Sequence, residues 1–139
     1  MSPRIRAILA LTTGLSACVI ETNDPGPTAV VVHDSGSLVV DWTIDGAKSV
    51  DECDLSGSST IDITVTSTDG SPEGEYQQAC SAFATTISLA PGNYVAEAVL
   101  IDGVGRDRTT PVQIRPFQIL GNDQLSIPIE FPAGSFYAP

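Results

Sequence analysis

The amino-acid sequence predicts an all-β domain, built as a two-sheet antiparallel β-sandwich of about seven strands. Apolar and polar residues alternate with a period of two over most of the chain, which is typical of strands with one buried face. Dipeptides that favour tight turns separate these runs, and no window carries a helical apolar stripe of useful length. With 139 residues, the chain suits one domain.

Four runs show the alternation most clearly, and each places its apolar residues on one face. These residues are Leu38, Val40, Trp42 and Ile44; Ile61, Ile63 and Val65; Tyr94, Ala96, Ala98 and Leu100; and Leu125, Ile127 and Ile129. Shorter candidate strands cover residues 28–33, 79–89 and 112–119. Because Trp42 shares its face with aliphatic residues, we expect it to lie in the core.

Dipeptides containing Gly or Pro mark the predicted turns, because Gly allows positive φ and Pro presets its own φ. They are Asp45-Gly46, Asp69-Gly70, Pro91-Gly92, Asp102-Gly103 and Gly121-Asn122. Residues 46–58 are the best candidate for a short helical turn or an irregular loop. Pro128 cannot donate to a ladder, so we expect the last strand to lie at a sheet edge or to be bulged there.

The first residues have the pattern of an export signal. Arg4 and Arg6 form a positive n-region, residues 7–15 form a short apolar h-region, and the segment ends in Leu15-Ser16-Ala17-Cys18. This tetrapeptide resembles the lipobox of bacterial lipoproteins. The resemblance implies cleavage before Cys18, a diacylglycerol on its thiol and acyl chains such as palmitate, which together anchor a protein stably. The alternative is an ordinary secretory leader with a chance cysteine.

The resemblance to lipoproteins also sets the expected domain boundaries and location. A helical signal peptide covers residues 1–17, the lipidated Cys18 and a flexible Pro/Gly-containing tether cover residues 18–28, and the β-sandwich covers residues 29–139. In lipoproteins an Asp after the cysteine often retains the protein in the inner membrane. Since Val19 stands there, we expect a place in the cell envelope, at the outer membrane of a Gram-negative cell.

The charge of the chain is strongly acidic. Two of its six basic residues lie in the leader and all 17 acidic residues lie after it, so the chain beyond residue 17 has a formal net charge of −13. Such a surface repels phosphate backbones. We therefore expect no nucleic-acid partner.

Two cysteines remain after the lipidated one. Cys53 and Cys80 form an even pair in an exported chain, which indicates a disulfide. A metal pair is the rival interpretation, but no Cys-x-x-Cys occurs and the chain has one histidine. A redox pair would need closer spacing.

A turn motif bears on which family of β-sandwich the chain resembles. The run from Leu89 to Val95 contains Pro-Gly-x-Tyr between two predicted strands, and it resembles the turn of transthyretin-like and carboxypeptidase-regulatory-like domains. Immunoglobulin domains place a Trp between their two cysteines, whereas Trp42 precedes both here. The expected architecture is a transthyretin-like or immunoglobulin-like sandwich.

Few residues have the chemistry of a catalytic site. His33 is the one histidine, and neither a Gly-x-Ser-x-Gly elbow nor a His-Glu-x-x-His motif occurs. Asp51, Glu52 and Asp54 are weak Ca²⁺ candidates, although a solvated acidic loop beside Cys53 is the preferred interpretation.

Residues 103–108 are predicted to form a hairpin loop with charged tips. The tail after Glu130 either packs over an open sheet end or docks on a partner. No cofactor is predicted.

Three functions are compatible with these observations. The favoured hypothesis is a non-catalytic, lipid-anchored envelope module that binds an envelope protein or a glycan, or has a structural role. The alternatives are a small carboxylate-dependent hydrolase of the envelope and a Ca²⁺-dependent adhesion module. Sandwich folds host many roles, so the fold alone does not decide among them.

Overall fold

The computed structural model describes residues 34–138, which form seven strands, one α-helix and two 3₁₀ turns. Each strand other than the third matches a run predicted from the sequence. The elements are β1 (Gly36–Ile44), α1 (Val50–Ser56), β2 (Thr60–Ser67), β3 (Pro72–Ala79), the 3₁₀ turn η1 (Cys80–Ala82), β4 (Ala84–Leu89), β5 (Gly92–Ile101), β6 (Val112–Ile119), β7 (Gln124–Phe131) and the 3₁₀ turn η2 (Ala133–Ser135).

The strands form two sheets that pack face to face, which confirms the predicted seven-stranded sandwich. One sheet has the order β4-β1-β7 and the other has the order β3-β2-β5-β6. Every neighbouring pair is antiparallel except β1 and β7, which are parallel. The β6–β7 connection crosses from one sheet to the other, and β7 runs in the same direction as β1.

This strand order is not that of an immunoglobulin domain. In an immunoglobulin domain the first strand pairs with the second, in a sheet built from strands A, B, E and D. Here the neighbours of the first strand are the fourth and the seventh. The transthyretin-like alternative stays a prediction.

The alternating runs bury the face that the sequence predicted. Leu38, Val40, Trp42 and Ile44 of β1 are all buried, while the residues between them are partly exposed. The core lies between the two sheets and also takes Phe131 from β7 and Phe83 from the η1–β4 link. Period-two alternation is reliable here because each sheet has one face in this core and one in solvent.

One predicted strand needs correction, one strand was missed, and one predicted strand cannot be compared with the structure. The run 79–89 is not a single strand, because η1 interrupts it and Phe83 has a φ of 54°. β3 was not predicted, since Tyr76 is its one side chain packed against the core and its other residues are polar, small or proline and nearly all exposed. The predicted strand at residues 28–33 lies outside the described residues.

The helical turn expected within residues 46–58 is α1. The Ser49 hydroxyl accepts a hydrogen bond from the backbone N–H of Asp51 at 3.3 Å and caps the helix start, and Gly57 ends it with a φ of 66°. Acidic residues in the first turn complement the helix dipole. Within the described part of the chain no helix could cross a lipid bilayer.

Proline residues lie on the sheet edges, as the sequence predicted for Pro128. β7 is an edge strand of the three-stranded sheet, so the missing N–H of Pro128 need not interrupt a ladder. Pro72 and Pro116 lie in β3 and β6, the two edge strands of the other sheet. Proline on an edge also discourages pairing with another chain.

Trp42 joins the core to the disulfide. Its indole Nε1 donates a hydrogen bond to the Cys80 carbonyl oxygen at 2.9 Å, and its ring centroid lies 6.3 Å from that of Phe83. Cys80 is bonded to Cys53 of α1, as predicted, with 6.1 Å between the two Cα atoms. The disulfide therefore holds α1 against the end of the sandwich.

The two ends of the sandwich differ in the length of their connections. One end, which we call the turn end, has the short turns 68–71, 90–91 and 120–123, and Asp34 enters there beside Gly121. The opposite end, the loop end, has the longer segments 45–59, 102–111 and 132–138 together with the four-residue segment 80–83. Binding residues are found more often on such loops than in the strands that support them.

We expect the double variant Cys53→Ala/Cys80→Ala to lose about 3–4 kcal/mol of unfolding free energy, because the bridge closes a loop with a sequence separation of 27 residues. Urea unfolding of the wild type and the variant, with and without reductant, measures the difference. Reductant should destabilise only the wild type. An equal effect on both proteins would contradict the structural role of the bridge.

We expect Trp42→Phe to cost about 2–4 kcal/mol, because it leaves the buried Cys80 carbonyl without its donor and also creates a cavity. Tyr94→Phe is the matched control, since it removes one donor, to the Ala90 carbonyl oxygen, at the turn end. That control should cost about 1 kcal/mol. Equal losses in urea unfolding would show that Trp42 has no special role.

Candidate binding site at the loop end

A groove of about 320 Å³ lies at the loop end, between α1 and the C-terminal segment. We call it the loop-end groove. Leu55, Phe136 and Tyr137 supply its apolar surface, and the charged groups Asp45, Glu52 and Arg108 line it as well. An apolar cleft with a few polar groups is the usual form of a binding site for a small ligand.

α1 supplies one wall of the loop-end groove. Glu52 and Leu55 are three residues apart and so project from the same side of the helix. The Leu55 side chain is 82% exposed, the most of any large apolar residue in the described chain. Asp45 begins the connection from β1 to α1, with a φ of 47°, and its backbone N–H donates to the Phe131 carbonyl oxygen at 3.0 Å.

The C-terminal segment supplies the other wall. The backbone N–H of Tyr137 donates to the Arg108 carbonyl oxygen at 2.9 Å, and the N–H of Thr110 donates to Ser135 at 2.8 Å. Phe136 pairs with Thr109 in an isolated bridge and is half-buried. Of the two possibilities raised by the sequence, the structure shows the tail packed over the open end of the sandwich.

Arg108 is the cation of the loop-end groove. It is half-buried, and its Nε donates a hydrogen bond to the Ser56 carbonyl oxygen at 3.1 Å. A cation at this position suits the negative end of the α1 dipole, so Arg108 also stabilises the helix. Within residues 34–138 no carboxylate oxygen lies within 4.0 Å of its guanidinium, whereas Lys48 and Arg106 pair with Asp41 and Asp102.

A second groove, of about 440 Å³, follows the seam between β6 and β7. Its apolar side chains, among them Val112, Phe117, Leu125 and Ile127, pack against the hydrophobic core. This groove is the open side of the sandwich, and its lining follows from the need to cover the core. The loop-end groove, with charged groups beside exposed apolar ones, is the better candidate for specific recognition.

The residues singled out in the sequence are dispersed in the structure. Cys18 and His33 lie outside the described residues. Asp51 and Asp54 are exposed on α1, and Glu52 lines the loop-end groove. Across the described chain, no group of three or more His, Cys, Asp or Glu side chains is placed to hold a metal ion, so the three Ca²⁺ candidates do not form a site.

Residues 103–108 form the expected loop with charged tips. The Asp102 carboxylate accepts hydrogen bonds from the backbone N–H groups of Val104 and Arg106, each at 3.0 Å, and pairs with the Arg106 side chain at 2.8 Å. The backbone N–H of Arg106 is the main cause of the lowered pKa of Asp102. This arrangement closes the turn and leaves Arg108 free to reach α1.

A carboxyl pair that the sequence did not reveal lies on the outer face of the four-stranded sheet. Burial, and then the neighbouring Glu75 carboxyl group, raises the pKa of Asp62. Gln77 Nε2 donates to one Asp62 oxygen at 3.4 Å, while the other oxygen is buried without a partner among the described residues.

Comparison with known proteins adds little to this description. No family model matches the chain, and no curated protein matches it. A solved leucine-rich repeat protein from Bacteroides thetaiotaomicron is similar over 72% of this chain, with a TM-score of 0.49 and 11% identity. The chain spans 12% of the length of that protein. A likeness at this level carries no argument about function.

We expect Asp62→Asn to stabilise the domain at pH 7 by up to about 1 kcal/mol, a size typical of partly exposed groups. A raised pKa means that folding favours the neutral acid. The stability this group contributes is full below the unfolded pKa of about 3.9 and is lost as pH rises through the folded pKa. Urea unfolding at pH 3 and pH 7 measures the effect, which should disappear at pH 3.

Asp69→Asn is the control for this prediction. Hydrogen bonds from Ser71, of which the backbone bond is the largest cause, lower the pKa of Asp69. Its ionised form is therefore the one that the fold favours, and the variant should be less stable than the wild type at pH 7. The same sign for both variants would contradict the assignment of Asp62.

Proposed function

We propose that the chain is a lipoprotein of the bacterial cell envelope, anchored through acyl chains on Cys18, and that its β-sandwich is a non-catalytic binding module. The observation that carries the proposal is the leader, in which two arginines, a short apolar run and Leu15-Ser16-Ala17-Cys18 follow one another. The outer membrane is the proposed location, because Val19 follows the cysteine. The partner is an envelope protein or a glycan.

The placement of the loop-end groove supports a role in binding. Asp34, the first described residue, lies at the turn end, opposite the loop-end groove. The loop end carries the longer connections and the exposed apolar side chains Val50, Leu55, Val104 and Tyr137. An apolar surface of this kind is typical of an interaction site.

The chemistry of the described residues favours binding over catalysis. Ser56 lines the loop-end groove together with Asp45 and Glu52. Its hydroxyl is hydrogen-bonded to the Cys53 carbonyl oxygen at 3.0 Å and to the Ser58 hydroxyl at 2.9 Å, and not to a carboxylate that could act as its general base. Asp62 and Glu75 lie on the outer face of a sheet, and neither residue lines the loop-end groove or the groove between β6 and β7. These points support the non-catalytic proposal over the hydrolase alternative.

The intact mass of protein purified from the membrane fraction tests the anchor. We expect a chain that begins at Cys18, carries acyl groups and gains two hydrogens on reduction of the Cys53–Cys80 bridge. Cys18→Ser should leave the precursor unlipidated, whereas Ser16→Ala, which keeps a small residue before the cleavage site, should be processed normally. A wild-type mass without acyl chains would overturn the proposal.

A further inference from the structure

Within the described chain, the terminal nitrogens of Arg108 have no hydrogen-bond partner and can donate to a ligand. Nε is engaged by the Ser56 carbonyl oxygen, and neither Nη atom forms a hydrogen bond with another residue in the range 34–138. A half-buried guanidinium without a counter-ion is unfavourable, because burial removes part of its hydration. The planar guanidinium is well suited to a carboxylate, with which it forms paired hydrogen bonds.

The same groove offers an apolar surface next to this cation. Leu55 and Tyr137, which are 82% and 46% exposed, line the groove with the half-buried Phe136. Covering these side chains would remove apolar area from water and favour binding. The ligand should therefore carry an apolar group beside its carboxylate.

Asp45 and Glu52 restrict the charge of the ligand. Both carboxylates line the groove, in a chain that is acidic overall. They would repel a dianion such as phosphate, and they would attract an ammonium group on the same ligand. The volume of about 320 Å³ is at the lower end of the range for ligand pockets, so the bound part is short.

From these contacts we infer that the loop-end groove binds a short peptide with a free C-terminal carboxylate, an apolar terminal side chain and an ammonium group. The carboxylate pairs with Arg108, the apolar side chain covers Leu55 and Tyr137, and the ammonium group faces Asp45 and Glu52. The inference deepens the proposed function and rests on its claim that the domain is a binding module.

Three peptides test this ligand chemistry on the detergent-solubilised mature lipoprotein. They are Lys-Ala-Phe with a free carboxylate, the same peptide with a C-terminal amide, and N-acetyl-Ala-Ala-Phe, which has a free carboxylate and no ammonium group. Calorimetric titration should show the first binding about 10- to 100-fold more tightly than the amide, the range for a hydrogen bond to a charged group. The third should bind more weakly than the first. Equal affinity for acid and amide would overturn the inference.

Arg108→Gln should abolish the preference for the free carboxylate, and Arg106→Gln is the matched control. Arg106 lies in the same loop, is exposed and is already paired with Asp102, so its loss should leave the peptide affinity unchanged. A role of Arg108 limited to capping α1 would lower the melting temperature without any acid-over-amide preference in the wild type. That result would also overturn the inference.

Leu55→Ala tests the apolar contact with the peptide without affecting folding, because this exposed side chain contributes little to the core. It should weaken binding of the free-acid peptide several-fold and leave the melting temperature unchanged.

The proposed lipid anchor and the inferred peptide site can fail separately. A lipidated protein that binds none of the peptides contradicts the inference alone, whereas an unlipidated protein that binds them contradicts the anchor alone.

Discussion

The hydrogen bond from Trp42 to the Cys80 carbonyl oxygen is the contact on which the loop end depends. Trp42 lies in the middle strand of one sheet, and Cys80 lies in η1, where the chain crosses from the other sheet. The backbone N–H of Cys80 donates to Ser59 just before β2, at 2.9 Å, and its sulfur is bonded to Cys53. One residue thus connects the core, both sheets and α1.

The order of these connections explains how so short a helix can form one wall of the loop-end groove. A helix of seven residues is not stable alone, because nucleation costs more than its few hydrogen bonds return. The disulfide holds it, and the helix in turn presents Leu55 and the Ser56 carbonyl oxygen that positions Arg108. The backbone of Arg108 then holds the C-terminal segment through Tyr137. The loop-end groove is therefore as rigid as its connection to the core.

The sequence predicts the fold well where one face of a strand is buried, and poorly elsewhere. β1 was predicted residue by residue, because burial imposes alternation on it. β3 has polar residues on both faces, and the break at Phe83 needs a positive φ that nothing local indicates. The disulfide followed from the cysteine count. The loop-end groove combines residues from 45 to 137, which only the fold brings together.

The edge strands of the sheets and the loop end of the sandwich differ in the residues they expose. Proline and charge on β3, β6 and β7 oppose pairing of these edge strands with other chains, whereas β4, the remaining edge strand, carries neither. At the loop end the sequence instead leaves apolar side chains in solvent around a half-buried arginine, which costs the stability that burying those side chains would add. Burial of Leu55 and Tyr137 against the core would avoid that cost. Backbone hydrogen bonds hold the C-terminal segment in place, and Tyr137 is still exposed. The exposed apolar surface at the loop end is therefore a consequence of the fold and not of an unattached terminus.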